Sequence, residues 1–211
     1  MRGSSFILAL GLLLWGCDGD SSAPAASDQK ASVTREALPV APVAPRNPDG
    51  LNRGDPAADF KGEVVYGGDG ELTLSQFVGI FPKDPKDGAI VAFGASWCGY
   101  CKASLPTLKA LQAEHDNLKI LYIGTDDNEA GWEKEIALFK AQEMNIPLIR
   151  VPDPGALVQT YFGNKRNLPR FYLVDNSGVI RLKDQGFTVG KMGKMLPRQV
   201  TSLLNMTQEG G

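Results

Sequence analysis

The 211-residue chain has three cysteines and a single histidine, His115. A structural zinc site wants four ligands at set spacings, and so thin a supply of sulfur and imidazole argues against one. Charge bias is missing too: 22 basic against 24 acidic side chains leave a net charge of -2. No basic stripe therefore points to nucleic acid. Nor is there a long apolar run. The stretch from Phe6 to Trp15 is roughly half of the ~20 residues that a membrane-spanning helix needs. Internal repeats are absent. What remains, 43% apolar and 22% charged residues, is ordinary for a globular domain with one buried core.

The N-terminus has the layout of a secretory signal: Arg2, the apolar stretch, then Gly16-Cys17. Leu14-Trp15-Gly16-Cys17 resembles a bacterial lipobox, which implies cleavage before Cys17 and a diacylglycerol on its sulfur. The alternative is an ordinary cleaved signal with a stray cysteine. Asp18 resembles the enterobacterial signal for retention in the inner membrane, with the chain facing the periplasm. From there to about Asp59 the sequence is rich in Ala, Pro, Ser and Asp, with no apolar periodicity. Such a segment buries too little surface to offset its ordering entropy and reads as a spacer. Three parts are expected: a signal over 1–16, a lipidated linker over 17–58 and a folded domain over 59–207.

Beyond Phe60, apolar runs and turn signals alternate as in an α/β domain. Short strands are expected over 63–66 and 71–74, forming an N-terminal β extension, and a buried strand over 89–94. Further strands are expected over 118–124, 146–151, 171–175 and 179–183, the last two joined as a hairpin at Asn176-Ser177-Gly178. Helices are expected over about 98–115, 131–142, 156–162 and 191–204. Pro106 lies inside the first of these and should kink it rather than end it. Parallel β-α-β units with an antiparallel edge give a mixed central sheet flanked by helices.

Cys98 and Cys101 form a C-x-x-C pair where a strand runs through a short turn into a helix. Unpaired N–H groups and the positive end of the helix dipole favour a thiolate at Cys98. Cys101, almost one turn on, brings its sulfur to the same face. The chemistry this suits is exchange: Cys98 attacks a disulfide, Cys101 resolves the mixed disulfide, and no cofactor beyond the cysteine pair is needed. A structural bridge fits less well, because so short a loop removes little entropy from the unfolded chain. Half a metal site is the other bland reading.

The run Phe93-Gly94-Ala95-Ser96-Trp97-Cys98-Gly99-Tyr100-Cys101-Lys102, followed by Leu105-Pro106, resembles thioredoxin-like proteins of the TlpA/ResA type. So do Thr125-Asp126-Asp127, Val151 to Gly155 and Leu168 to Gly178. The resemblance, from about Leu72 to Phe187, implies a thioredoxin-like fold and an often membrane-tethered, extracytoplasmic thiol-disulfide oxidoreductase. It also implies that Pro169 is a cis-proline facing the cysteines, with the Leu168 backbone offered to a substrate strand. Trp97 is expected partly in the core and partly in the site wall. Gly99, Tyr100 and Lys102 would support the site, although an exposed tyrosine and a solvated lysine are the default for the latter two.

Two family features are missing. Thioredoxins carry a buried aspartate where this chain has Ala92, and many TlpA/ResA relatives carry a helix glutamate where it has Ser104. Without those acids the thiolate should form more cheaply, giving a couple less reducing than cytoplasmic thioredoxin. Gly99-Tyr100 also resembles the motif of the disulfide isomerase DsbC, whose dimerisation domain has no counterpart here. Partners implied are protein dithiols or disulfides, apocytochrome c among them, a membrane electron-transfer protein, and the membrane itself through the lipid. A monomer is expected. A rival reading is a metal- or haem-assembly binding module that uses the same dithiol; copper-delivering relatives add a histidine near the cysteines, and His115 is poorly placed for that.

Overall fold

A computed structural model describes residues 47–209. Their order is β1 (Lys61–Tyr66), β2 (Glu71–Thr73), a 3-10 turn (Leu74–Gln76), β3 (Gly88–Gly94), α1 (Gly99–Glu114), β4 (Leu118–Gly124), α2 (Glu129–Ala141), β5 (Leu148–Arg150), α3 (Pro154–Phe162), β6 (Arg170–Asp175), β7 (Ile180–Gln185) and α4 (Met192–Glu209). The signal over 1–16, Cys17 and Asp18 lie outside the described residues.

The strands form one seven-stranded mixed sheet in the order β2-β1-β5-β4-β3-β6-β7. β3 runs parallel to β4 and β4 to β5, while β6 and β7 continue antiparallel at one edge. At the other edge the N-terminal extension adds β1 antiparallel to β5, and β2 antiparallel to β1. Every residue of β3 is buried, as a strand covered on both faces must be.

Alternation along β3 divides the core. Ile90 and Ala92 face Leu105, Leu108 and Leu111 of α1, Trp132 and Phe139 of α2, and Leu196, Val200 and Leu203 of α4. Ala89, Val91 and Phe93 face Tyr161 and Phe162 of α3, with Phe60, Leu74 and Phe77 from the N-terminal segment. Layers of this kind hold the C-terminal end of β3, where the cysteine loop begins, between packed helices.

Several boundaries move, each for a local reason. Residues 47–58, expected in the linker, are part of the folded body. Leu51 N donates to Tyr161 O, Ala57 N donates to Gly178 O, and the Tyr161 hydroxyl donates to Ala58 O. Backbone hydrogen bonds of this sort leave no apolar periodicity to read. Gly50 and Gly163, both at positive φ, approach so closely that a Cβ on either would overlap backbone of the facing segment. The 146–151 stretch yields only the three residues of β5, since Pro147 has no N–H to give a ladder.

The last strand opens at Ile180 rather than Val179 because the Asp175 carboxylate takes the Val179 N–H, together with the backbone N–H and hydroxyl of Ser177. α1 runs through Pro106, and α4 continues past Leu204 to Glu209. Among the described residues no helix is long and apolar enough to cross a membrane.

Candidate active site

Leaving β3 at Gly94, the chain makes a tight turn in which Cys98 N donates to Ala95 O. Cys98 then caps α1: its backbone is extended (φ -84°, ψ 104°) and its Sγ accepts the Cys101 N–H at 3.1 Å. A sulfur that already accepts a helix-start amide is where a thiolate is best stabilised. Cys98 and Cys101 are joined as a disulfide with Cα atoms 5.2 Å apart, and both are nearly closed off, Cys98 at 5% exposure and Cys101 at 1%. The structure is thus the oxidised form.

Around the pair, Trp97 is 69% exposed and Tyr100 63% exposed. Trp97 therefore belongs to the wall and not to the core, a correction to the sequence reading, because the turn throws it outward. Gly99 and Lys102 are also exposed, at the first turn of α1. Ser104, at the position of the missing helix glutamate, is fully buried and donates to Cys101 O at 2.7 Å. Ala92 is likewise fully buried.

The Leu168–Pro169 peptide is cis. Arg170, 1% exposed, braces this loop: its Nε donates to Asn167 O and its guanidinium lies 4.6 Å over the Phe162 ring. Trp97 and Leu168 share a hollow of about 220 Å³ with Val158 and Phe162 beneath and Asp127 and Arg166 at its edge. Sequence reasoning found Trp97 and Leu168 but not the α3 floor, whose residues read only as part of a short helix. Among the described residues no group of three or more His, Cys, Asp or Glu could hold a metal.

The largest surprise is acidic. Asp126 accepts from Ser96 N at 2.8 Å and from Ser96 Oγ at 2.9 Å, clamping the turn two residues before Cys98. Behind it lies Glu135 of α2, 1% exposed, with Oε2 buried and unpartnered. Burial, then the Asp126 carboxylate, pushes the Glu135 carboxyl up to about 8. Burial and then Glu135 raise the Tyr122 hydroxyl well above its ordinary value. A trace was legible: Trp132, Glu135 and Phe139 are spaced three and four apart, so a carboxyl interrupts an apolar stripe of α2.

Residues 53–183 match the AhpC/TSA family. Thioredoxin of Bacillus subtilis is 37% identical over 89 residues, which are 40% of this chain and 78% of that protein. Among solved structures, one described as the thiol:disulfide interchange protein DsbE of Chlorobium tepidum has a TM-score of 0.61 at 23% identity and covers 74% of this chain and 99% of its own. The pneumococcal exposed lipoprotein thioredoxin Etrx1 of Streptococcus pneumoniae has a TM-score of 0.52 at 23% identity, covering 71% and 99%. At those identities the structures speak for the fold. With the match spanning the sheet from the N-terminal segment to β7 and a closed Cys98–Cys101 pair at the head of α1, this chain belongs to the AhpC/TSA family of thioredoxin-like proteins and is a thiol-disulfide oxidoreductase.

Proposed function

We propose that the chain exchanges disulfides with extracytoplasmic protein substrates while tethered to the inner membrane through a lipidated Cys17, apocytochrome c being one such substrate. The observation that carries the exchange chemistry is the Cys98 sulfur capping α1 against the Cys101 N–H. In the reduced form the Cys98 thiolate attacks a substrate disulfide, expelling one substrate thiolate that takes up a proton. Cys101, deprotonated, then attacks Cys98 and releases the second substrate thiolate. Two electrons pass to the substrate and the cysteine pair closes. A membrane electron-transfer protein restores the dithiol.

An extended substrate segment would pair with the backbone beside cis-Pro169, leaving the 220 Å³ hollow between Trp97 and Leu168 for a neighbouring side chain. The tether rests on the lipobox-like Leu14 to Cys17 and on the following spacer. The solved lipoprotein thioredoxin of Streptococcus pneumoniae is a precedent for that pairing of fold and anchor.

Insulin reduction tests the exchange. Cys98→Ser abolishes turnover, and Cys101→Ser accumulates mixed disulfides whose captured proteins, isolated from the native membrane, identify the substrates. Equal turnover by wild type and Cys98→Ser defeats the reading. For the tether, Cys17→Ser moves the chain from the membrane pellet to the soluble fraction; retention in the pellet excludes lipid attachment there.

A further inference from the structure

Three glycines are cut away around one polar cluster beneath the redox turn. A Cβ on Gly94, the last residue of β3, would land on the Tyr122 hydroxyl. On Gly124, the last of β4, it would lie 2.5 Å from the Trp132 ring and 2.7 Å from Glu135 Oε2. On Gly131, in the first turn of α2, it would lie 2.6 Å from Asp126 Oδ1. Backbone has been stripped to its minimum where Tyr122, Glu135 and Asp126 meet, so the cluster is built into the fold. Real Cβ contacts are never that close.

Among the described residues no cation acts on Glu135. The titratable groups facing Glu135 are Tyr122 from β4 and Asp126 from the loop after it. β3 contributes no ionisable side chain. Arg150 of β5 stacks 4.6 Å over the Trp132 ring, with its guanidinium committed to Glu129 at 2.6 Å. A carboxyl buried in a low-dielectric site beside a second carboxyl ionises only at a cost, so Glu135 holds its proton more tightly than a free side chain does. Asp126 is the member that reaches outward, holding Ser96 through two hydrogen bonds.

We propose that Glu135 is a positioning residue for disulfide exchange: buried behind the Asp126–Ser96 clamp, it sets by its own charge the ease with which the Cys98 thiolate forms. When Glu135 is protonated, it adds no charge behind the two bonds that Asp126 accepts from the Ser96 N–H and hydroxyl. When Glu135 ionises, its negative charge appears behind the turn and opposes the thiolate two residues beyond Ser96. The two ionisations therefore hinder one another, and by linkage each must shift the other equally. The idea deepens the exchange function above and rests on it.

The test follows the pH dependence of Cys98 alkylation and thiolate absorbance in the reduced full chain from pH 4 to 10, with insulin turnover measured on the same samples. Wild type requires two ionisations to fit. Glu135→Gln collapses to one, with the thiolate midpoint lower by at least about 0.3 unit, a twofold change in the proton equilibrium. Ser96→Ala, which removes the hydroxyl bond to Asp126 but keeps the backbone bond and both acids, narrows the profile in part. A carbon-13 titration of the glutamate carboxyls in wild type needs no variant: the Glu135 midpoint differs by about the same 0.3 unit between oxidised and reduced forms. Superimposable alkylation profiles for wild type and Glu135→Gln, or one Glu135 midpoint in both redox forms, overturn the inference while intact insulin turnover leaves the exchange reading standing. Loss of turnover in wild type removes both.

Discussion

Glu135→Gln should change how stability responds to pH, and the sign is fixed by burial. In the folded chain the Glu135 carboxyl is pushed from 4.5 to about 8, so the folded state holds its proton more tightly than the unfolded one. A group with a raised folded value contributes its full stability below about 4.5, loses it steadily as pH climbs to about 8, and then levels off. The difference of about 8 less 4.5 is some 3.5 units, which at ~1.4 kcal/mol per unit bounds the loss at about 5 kcal/mol.

For a body of this size each kcal/mol moves Tm by roughly 2–4 °C. The oxidised wild type should therefore lose on the order of 10 °C or more between pH 5 and pH 9 through this one side chain. Glutamine keeps the shape and cannot ionise. Its amide, buried near Tyr122, costs about 1–3 kcal/mol if poorly paired, but that offset is the same at every pH. The slope is what matters. Thermal or urea unfolding of both proteins at pH 5, 6, 7, 8 and 9 gives the difference curve. A rise in favour of Glu135→Gln across pH 5 to 8, flat beyond, is expected; curves parallel to within about 0.5 kcal/mol would refute the reasoning.

Other perturbations read different parts of the molecule. Gly94→Ala drives a methyl onto the Tyr122 hydroxyl and should cost about 1–3 kcal/mol; Tyr122→Phe should recover at least about 0.5 kcal/mol in a double-mutant cycle by unfolding, and strict additivity would show that the two positions do not meet. The reduction potential, measured against glutathione, should be less negative than about -270 mV, because Ala92 and Ser104 are buried and uncharged beside the cysteines; a value at or below that figure rejects the argument. Asp175→Ala should destabilise the β6–β7 hairpin by about 2–4 kcal/mol, since its carboxylate gathers donors from Ser177, Val179 and Arg181. Full retention of Tm would show that turn to be self-supporting.

Much of this protein was open to reading in one dimension. Local signals suffice where a residue acts on its own neighbours in the chain: the Cys98–Cys101 spacing and the strand before it put a sulfur at a helix start. Asn176-Ser177-Gly178 turned the hairpin, and an unbroken apolar run made β3 a strand buried on both faces. The resemblance carried the fold and Pro169. Polar backbone partners, by contrast, leave no periodicity, so the packed stretch from residue 47 to residue 58 passed for linker.

Tertiary structure alone decided what surrounds the sulfurs. Ser96 meets Asp126 across thirty positions of sequence, and Glu135 joins them from a helix on the far side of β4. Nothing in the order of residues fixes such a meeting, because whether a carboxyl on a helix faces water or a neighbour's carboxylate depends on how helix and sheet stack. Sequence settled which atoms could exchange a disulfide. The folded packing settled which charges stand behind them.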